Sequence, residues 1–207
     1  MPTYANVIPL SQPSFSGKLP RKPCNQSVRS REYLTEAEVG KLMKAARNTG
    51  RHGHRDATLI LIAYRHALRV AELVALRWEQ IDLGQGSLHV VRRKNGVDCS
   101  HPLRGPEIRA LRQLQRDYPE TPYVFVTERK GPLTASTVRK LVARAGEQSG
   151  IAFPVHPHML RHGCGFKLAN DCHDTRAIQH YMGHRNIQHT VRYTELAADR
   201  FNGFWKD

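Results

Sequence analysis

Apolar residues recur at helical spacing along nearly the whole chain and give way to strand spacing at one main place. Leu88, Val90 and Val91 read as a strand, Asn95-Gly96 follows, and Val97–Leu103 returns. Asn-Gly between two such runs is the strongest short hairpin signal, because both central residues of the tight turn need positive φ. Tyr123–Thr127 adds only a short extended run. The expected class is therefore mostly α (α+β), helical with one small antiparallel β-sheet.

The helical segments carry their own punctuation. Thr35 with Glu38 three residues on is a capping box, and Leu34 can supply the hydrophobic staple. Val39, Leu42, Met43 and Ala46 then keep one face to Arg47, and Asn48–Gly53 breaks the helix. A second helix over Arg55–Ala67 is apolar nearly all round and so belongs inside. Shorter or later helices are expected over Val70–Leu76, Glu107–Tyr118, Ala135–Gln148, Pro157–Ala169, Thr175–Met182 and Asn186–Tyr193.

At 207 residues the chain suits one ordinary domain with a small appendage. Lys and Arg number 32 against 18 acids, a formal +14, which favours a polyanionic partner, nucleic acid before an anionic membrane. No apolar run approaches the roughly 20 residues that span a bilayer, and the N-terminus lacks a secretion signal. Cys24, Cys99, Cys164 and Cys172 show no C-x-x-C pair and read as reduced thiols in a cytoplasmic protein. The first 30 residues hold five prolines and basic residues at Arg21, Lys22 and Arg29. Residues 1–33 are thus expected to be a flexible basic arm, either gripping DNA or simply solvated.

Chemistry-bearing residues concentrate between His156 and Tyr193. Pro157 suits a first helical position, which sets His158 in the first turn and Arg161 one turn on, on the same face. Imidazole, guanidinium and the free amides of a helix start can all grip a phosphate. His184 follows in a Gly-His-Arg-Asn turn, and then Tyr193. The i, i+4 pairs His158/His162 and His180/His184 have ligand spacing. However, Arg161 would repel a dication and no cysteine completes a tetrahedral set, so no metal is expected.

The segments HALRVAELVALRW (66–78), HPHMLRH (156–162) and YMGHRNIQHTVRYT (181–194) resemble the motifs of the tyrosine recombinase (phage integrase) family. Within it, the chain is most similar to the short recombinases that invert the fimbrial switch of enterobacteria. The resemblance implies the catalytic-domain fold of that family over residues 34–207. Full-length members place a separate helical DNA-clamping domain ahead of it, and here the chain is expected to depart from them in having no separate core-binding domain. It places the catalytic set on Arg69, Lys94, His158, Arg161 and His184 around the nucleophile Tyr193, with Glu72 bracing Arg69. Lys130 is the alternative lysine, in a worse register. Tyr64, Tyr118, Tyr123 and Tyr181 do not follow the Gly-His turn at the right interval. Arg92, Arg93, Lys94 and Arg185 are expected to contact DNA.

The implied reaction is attack of Tyr193 on a phosphodiester, leaving a 3′-phosphotyrosine and a free 5′-hydroxyl. Ester energy is retained, so neither nucleotide nor any other cofactor is implied. A phenol with an ordinary pKa near 10 needs a proton acceptor at neutral pH, and His158 fits that role. The two arginines can bind oxygens bidentately and hold charge that grows in the transition state. His184 would donate to a non-bridging oxygen, and Lys94 at the hairpin tip would protonate the leaving 5′-oxygen. Implied partners are double-stranded DNA, a homotetramer on DNA and accessory DNA-bending proteins, in the bacterial cytoplasm at the nucleoid. Phe201, Phe204 and Trp205 would either anchor on the next protomer or pack on the chain's own core. The competing classes are a type IB-like relaxing topoisomerase, a non-catalytic DNA-binding regulator retaining the fold, and an RNA- or anionic-surface-binding protein.

Overall fold

The structure is a computed structural model that describes residues 31–93 and 96–195. The arm expected over 1–33 therefore falls almost wholly outside the described residues, as do Lys94, Asn95 and the aromatics Phe201, Phe204 and Trp205. Among the described residues the chain forms eight α-helices and one three-stranded antiparallel sheet.

Helix α1 (Glu36–Asn48) begins where the sequence signals it should. Thr35 Oγ1 accepts from the Glu38 amide, and the Glu38 carboxylate accepts from the Thr35 amide at 2.9 Å. Two amides without helical partners are thereby satisfied. Helix α2 (Gly53–Arg65) is the centre of the molecule, with Leu59, Ile60 and Ile62 fully buried. Helices α1, α4 (Gly105–Asp117) and α6 (Pro157–Asn170) pack around it, which explains why its sequence is apolar on every side.

The sheet is built from β1 (Ile81–Asp82), β2 (Ser87–Val90) and β3 (Cys99–Pro102) in that order. Leu88 faces His101 and Val90 faces Cys99 across the hairpin expected from the sequence. Val91 lies beyond the strand and is exposed. Strand β1 is only two residues long, too short to leave a periodic signal. The extended run at 123–127 makes isolated bridges, Arg77 with Tyr123 and Val126 with Pro132, rather than a strand.

The rest follows in order: α3 (Val70–Val74), α5 (Ala135–Gln148), α7 (Thr175–Met182) and α8 (Gln188–Glu195). Helix α7 is capped at its start by the Asp174 carboxylate, which accepts from the amides of Arg176 and Ala177. Gly183 ends it in the left-handed region, φ 63°, a conformation that costs a side-chain-bearing residue about 1–2 kcal/mol. This stop turns the chain so that α8 packs across α6 and α7. No helix among the described residues is long and apolar enough to cross a membrane.

Candidate active site

Three separate stretches deliver the site. The turn after α2 supplies Arg69, the first half of α6 supplies His158, Arg161 and His162, and the α7–α8 segment supplies His184, His189, Arg192 and Tyr193. These eight side chains line one pocket of about 270 Å³. A second concavity of about 370 Å³ adjoins it, sharing Arg69, His184 and His189 and adding Arg185 at its rim. Of the six residues given catalytic roles above, the structure thus brings Arg69, His158, Arg161, His184 and Tyr193 together. Lys94 lies outside the described residues, although both stems of its hairpin are in place.

The arginines are fixed by a shared set of acceptors. Arg69 Nη1 donates to Glu72 at 2.7 Å, and Glu72 also accepts from the Arg69 amide. Arg161 is almost fully buried; its Nη2 donates to the Met182 carbonyl at 2.7 Å and its Nη1 to the Ala67 carbonyl. Ala67 adopts φ 50°, an unusual value for a residue with a Cβ. That backbone turn aims its carbonyl at Arg161 and at a second guanidinium, Arg92 Nη1, 3.2 Å away. Strain at one alanine thus orients two cations.

Arg92 does not take the DNA-facing position expected for it. Its side chain is shut off from solvent and donates to Glu72 at 3.0 Å, to Tyr181 O at 2.6 Å and to His66 O at 3.3 Å. The physical reason is Gly183, which has no side chain: a Cβ there would meet Arg92 Cγ and Nε at 2.7 Å, so the guanidinium threads past it into the interior. Arg93 and Arg185, by contrast, are exposed. In sequence Arg92 and Arg93 look equivalent; only the packing separates them.

Guanidinium groups dominate the electrostatics of the site. Burial, then the neighbouring Arg69 and Arg92, push Arg161 down to about 10. Burial alone would raise the Glu72 pKa, but hydrogen bonds from Arg69 and the charges of Arg92 and Arg69 carry it below the ordinary carboxylate value. Glu72 is therefore a permanent anion beneath the pocket. His184 is held down to about 3 by burial, then by Arg161 and Arg69, and its Nδ1 lies 2.8 Å from the Thr190 hydroxyl. His158, whose outer edge meets solvent, is lowered by burial first and by Arg161 and Arg69 next.

Tyr193 is 2% exposed. Its ring lies edge-on to Phe166, with centroids 5.1 Å apart, and rests directly on Gly165, where a Cβ would come within 2.8 Å of the ring. Burial raises its phenol pKa, against the pull of Arg161 and Arg192. The hydroxyl pairs with His162 Nδ1 at 2.8 Å. This is the residue that sequence reasoning passed over except as a metal ligand. Its i+4 spacing from His158 was legible, but nothing in the sequence showed that Tyr193 would fold back onto it. The two histidine rings meet edge to face at 4.4 Å. No group of three or more potential metal-ligating side chains converges among the described residues.

A mostly helical domain with one small antiparallel sheet is the catalytic-domain architecture of tyrosine recombinases, which are DNA strand-transferring enzymes. Residues 32–200 match the model of the phage integrase family, and the chain belongs to that family. It is 41% identical over 182 residues to the type 1 fimbriae regulatory protein FimB of Escherichia coli (strain K12), covering 86% of this chain and 90% of FimB. Identity to FimE of the same strain is 42% over 182 residues, covering 85% and 91%. Among solved structures, XerA recombinase superposes with a TM-score of 0.72 at 26% identity, over 82% of this chain. The chain spans 62% of that longer recombinase.

Proposed function

We propose that this protein is a site-specific DNA recombinase that cuts and rejoins double-stranded DNA through a 3′-phosphotyrosine on Tyr193, inverting a segment in the manner of a fimbrial switch. The observation carrying this reading is the single pocket in which the Tyr193 phenol, two fixed guanidinium groups and the histidines His158 and His184 face one space. A phosphodiester there would relieve the mutual repulsion of Arg69 and Arg161 and be held by planar forks suited to its oxygens. His158 at the pocket edge supplies a further phosphate contact. With Nδ1 of His184 accepting from the Thr190 hydroxyl, its Nε2–H is free to donate to a non-bridging oxygen. These donors oppose the charge that builds on phosphorus-bound oxygens during transfer, where electrostatic preorganisation contributes most.

Lys94 is assigned protonation of the leaving 5′-oxygen on the resemblance to the family's hairpin lysine, and Gly96, two residues on, lines the adjoining concavity. Arg93 and Arg185 are assigned to phosphates flanking the scissile one, contacts that position rather than specify. Assembly of four protomers on DNA, with the C-terminal aromatics anchoring in trans and accessory proteins bending the site, completes the proposal.

The test is a nicked suicide duplex carrying the cognate site. Wild-type protein forms a covalent protein–DNA adduct without nucleotide, and Tyr193→Phe forms none. A Lys94→Ala defect is rescued when the leaving 5′-oxygen is replaced by sulfur, which departs without protonation. An adduct that persists in Tyr193→Phe removes the nucleophile assignment. Supercoil relaxation without inversion or excision between two sites would favour the topoisomerase reading.

A further inference from the structure

We infer that His162 is a further catalytic residue of strand transfer, the group that receives the phenol proton as Tyr193 attacks. The inference rests on Tyr193 being the nucleophile, as proposed above. It gives the proton-accepting role to the second histidine of the His158–His162 pair rather than the first.

Geometry comes first, because a base must lie within hydrogen-bond reach of the proton it takes. The Tyr193 hydroxyl is 2.8 Å from His162 Nδ1. That contact is held from several sides. Gly165 lies under the phenol ring, Phe166 meets it edge-on, and His184 lies nearly parallel to it with centroids 6.3 Å apart. Both partners are buried, so water competes little for the hydroxyl. The titratable and charged groups acting on His162 are His158, Arg161 and His156 from α6 and its N-cap, and Arg192 and Tyr193 from α8. Burial, followed by His158, Arg192, Arg161 and His156, holds the imidazole down to about 3. It is therefore neutral at physiological pH, with the Nδ1 lone pair available when the ring hydrogen sits on Nε2. A phosphate arriving among Arg69, Arg161 and Arg192 places negative charge beside it and raises its proton affinity when the proton must move.

The step balances. The Tyr193 O–H bond breaks and its proton passes to His162 Nδ1, giving an imidazolium. The phenol oxygen's electron pair forms the new O–P bond, the P–O5′ bond breaks, and the departing oxygen takes a proton from a separate donor, assigned to Lys94. On rejoining, the 5′-hydroxyl attacks phosphorus and gives its proton back to the group assigned to Lys94, the bond from phosphorus to the phenol oxygen breaks, and His162 returns its proton to that oxygen.

The experiment measures single-turnover adduct formation on the nicked duplex for His162→Ala and His162→Gln, with thermal melting and DNA affinity recorded alongside. Losing a general base is expected to slow adduct formation by about 100-fold or more. Each variant is then made with a ring-fluorinated tyrosine at position 193, whose more acidic phenol depends less on a base. Recovery of at least about tenfold, with little change in the wild-type background, is expected for an acid–base role; a merely structural role would leave the loss in place. Should the alanine variant not fold, the glutamine variant carries both measurements, since it retains a polar group without a titratable nitrogen. A folded variant reacting within about tenfold of wild type, or one not recovered by the fluorinated phenol, overturns the inference. Tyr193→Phe is run in parallel: an adduct there defeats the nucleophile assignment itself, whereas its absence beside an unimpaired His162 variant defeats only this inference.

Discussion

The Arg92 guanidinium lies 3.0 Å from the Glu72 carboxylate, and neither side chain meets solvent. Glu72 in turn braces Arg69 at the pocket edge, so a cation that never faces the pocket sets the position of one that does. Removing it takes away the fully buried counter-charge of Glu72 and leaves the carboxylate to the partly exposed Arg69. Arg92→Ala is expected to cost about 3–5 kcal/mol, the range for breaking one side of a buried pair. Urea unfolding measures this, and a stability within about 1 kcal/mol of wild type would contradict it.

Gly165 is the floor beneath the Tyr193 ring. Alanine there gains about 1 kcal/mol of helix propensity, but its methyl group would press on the Tyr193 ring at 2.8–2.9 Å, and overpacking of a core costs about 1–3 kcal/mol. The second effect wins, so Gly165→Ala should be modestly less stable. Its larger effect should fall on reaction, because the phenol must shift away from His162. Adduct formation is expected to drop at least about tenfold, since small misplacements at a reacting centre weigh heavily. An unchanged rate on the nicked duplex would show that the ring's seat is unimportant.

Acid should unfold this protein early. His101, His162 and His184 are each held down to about 3, in every case by burial first. Unfolding returns them to an ordinary value near 6.5, so between pH 6.5 and about 3 the unfolded chain binds more protons than the folded one. Stability is then fully present above pH 6.5 and falls as pH drops through that window, by at most about 1.4 kcal/mol per unit for each histidine. Melting temperatures recorded from pH 7.5 to 5 should decline steeply, and His101→Phe should flatten the decline. A flat profile over that range would contradict the buried neutral state.

Arg93 and Arg185 are exposed, and Arg185 lines the concavity that adjoins the pocket. Alanine at either position should weaken DNA binding about equally for cognate and unrelated duplexes. Each should also reduce the slope of log affinity against log salt by about one. Titrations at several salt concentrations check this; a loss confined to the cognate site would make the residue a base reader instead.

Adduct formation should survive a chelator. The pocket's cations are guanidinium groups, which stay charged without any inorganic ion. Gel analysis of the nicked-duplex reaction with and without chelator is the measurement, and abolition by chelator would require a metal in the reaction.

Local signals in the chain determined a good deal. The Thr35–Glu38 capping box, the nearly all-round apolar α2 and the Thr175–Met182 span of α7 appear where the sequence indicates. Each is decided within a few residues by hydrogen bonding and hydrophobic period, so a linear reading suffices. The motifs around Arg69, His158, Arg161, His184 and Tyr193 were likewise legible, because their residue types and order are visible without folding. Tertiary structure decided which of these groups touch. Arg92 and Arg93 are adjacent and alike, yet one is swallowed past Gly183 and the other faces outward. His162 read as a spare neighbour of His158 until α8 crossed α6 and laid the Tyr193 hydroxyl against it. Partner choice across 31 residues of chain depends on how helices pack and where a glycine leaves room, and neither propensity nor spacing carries that information.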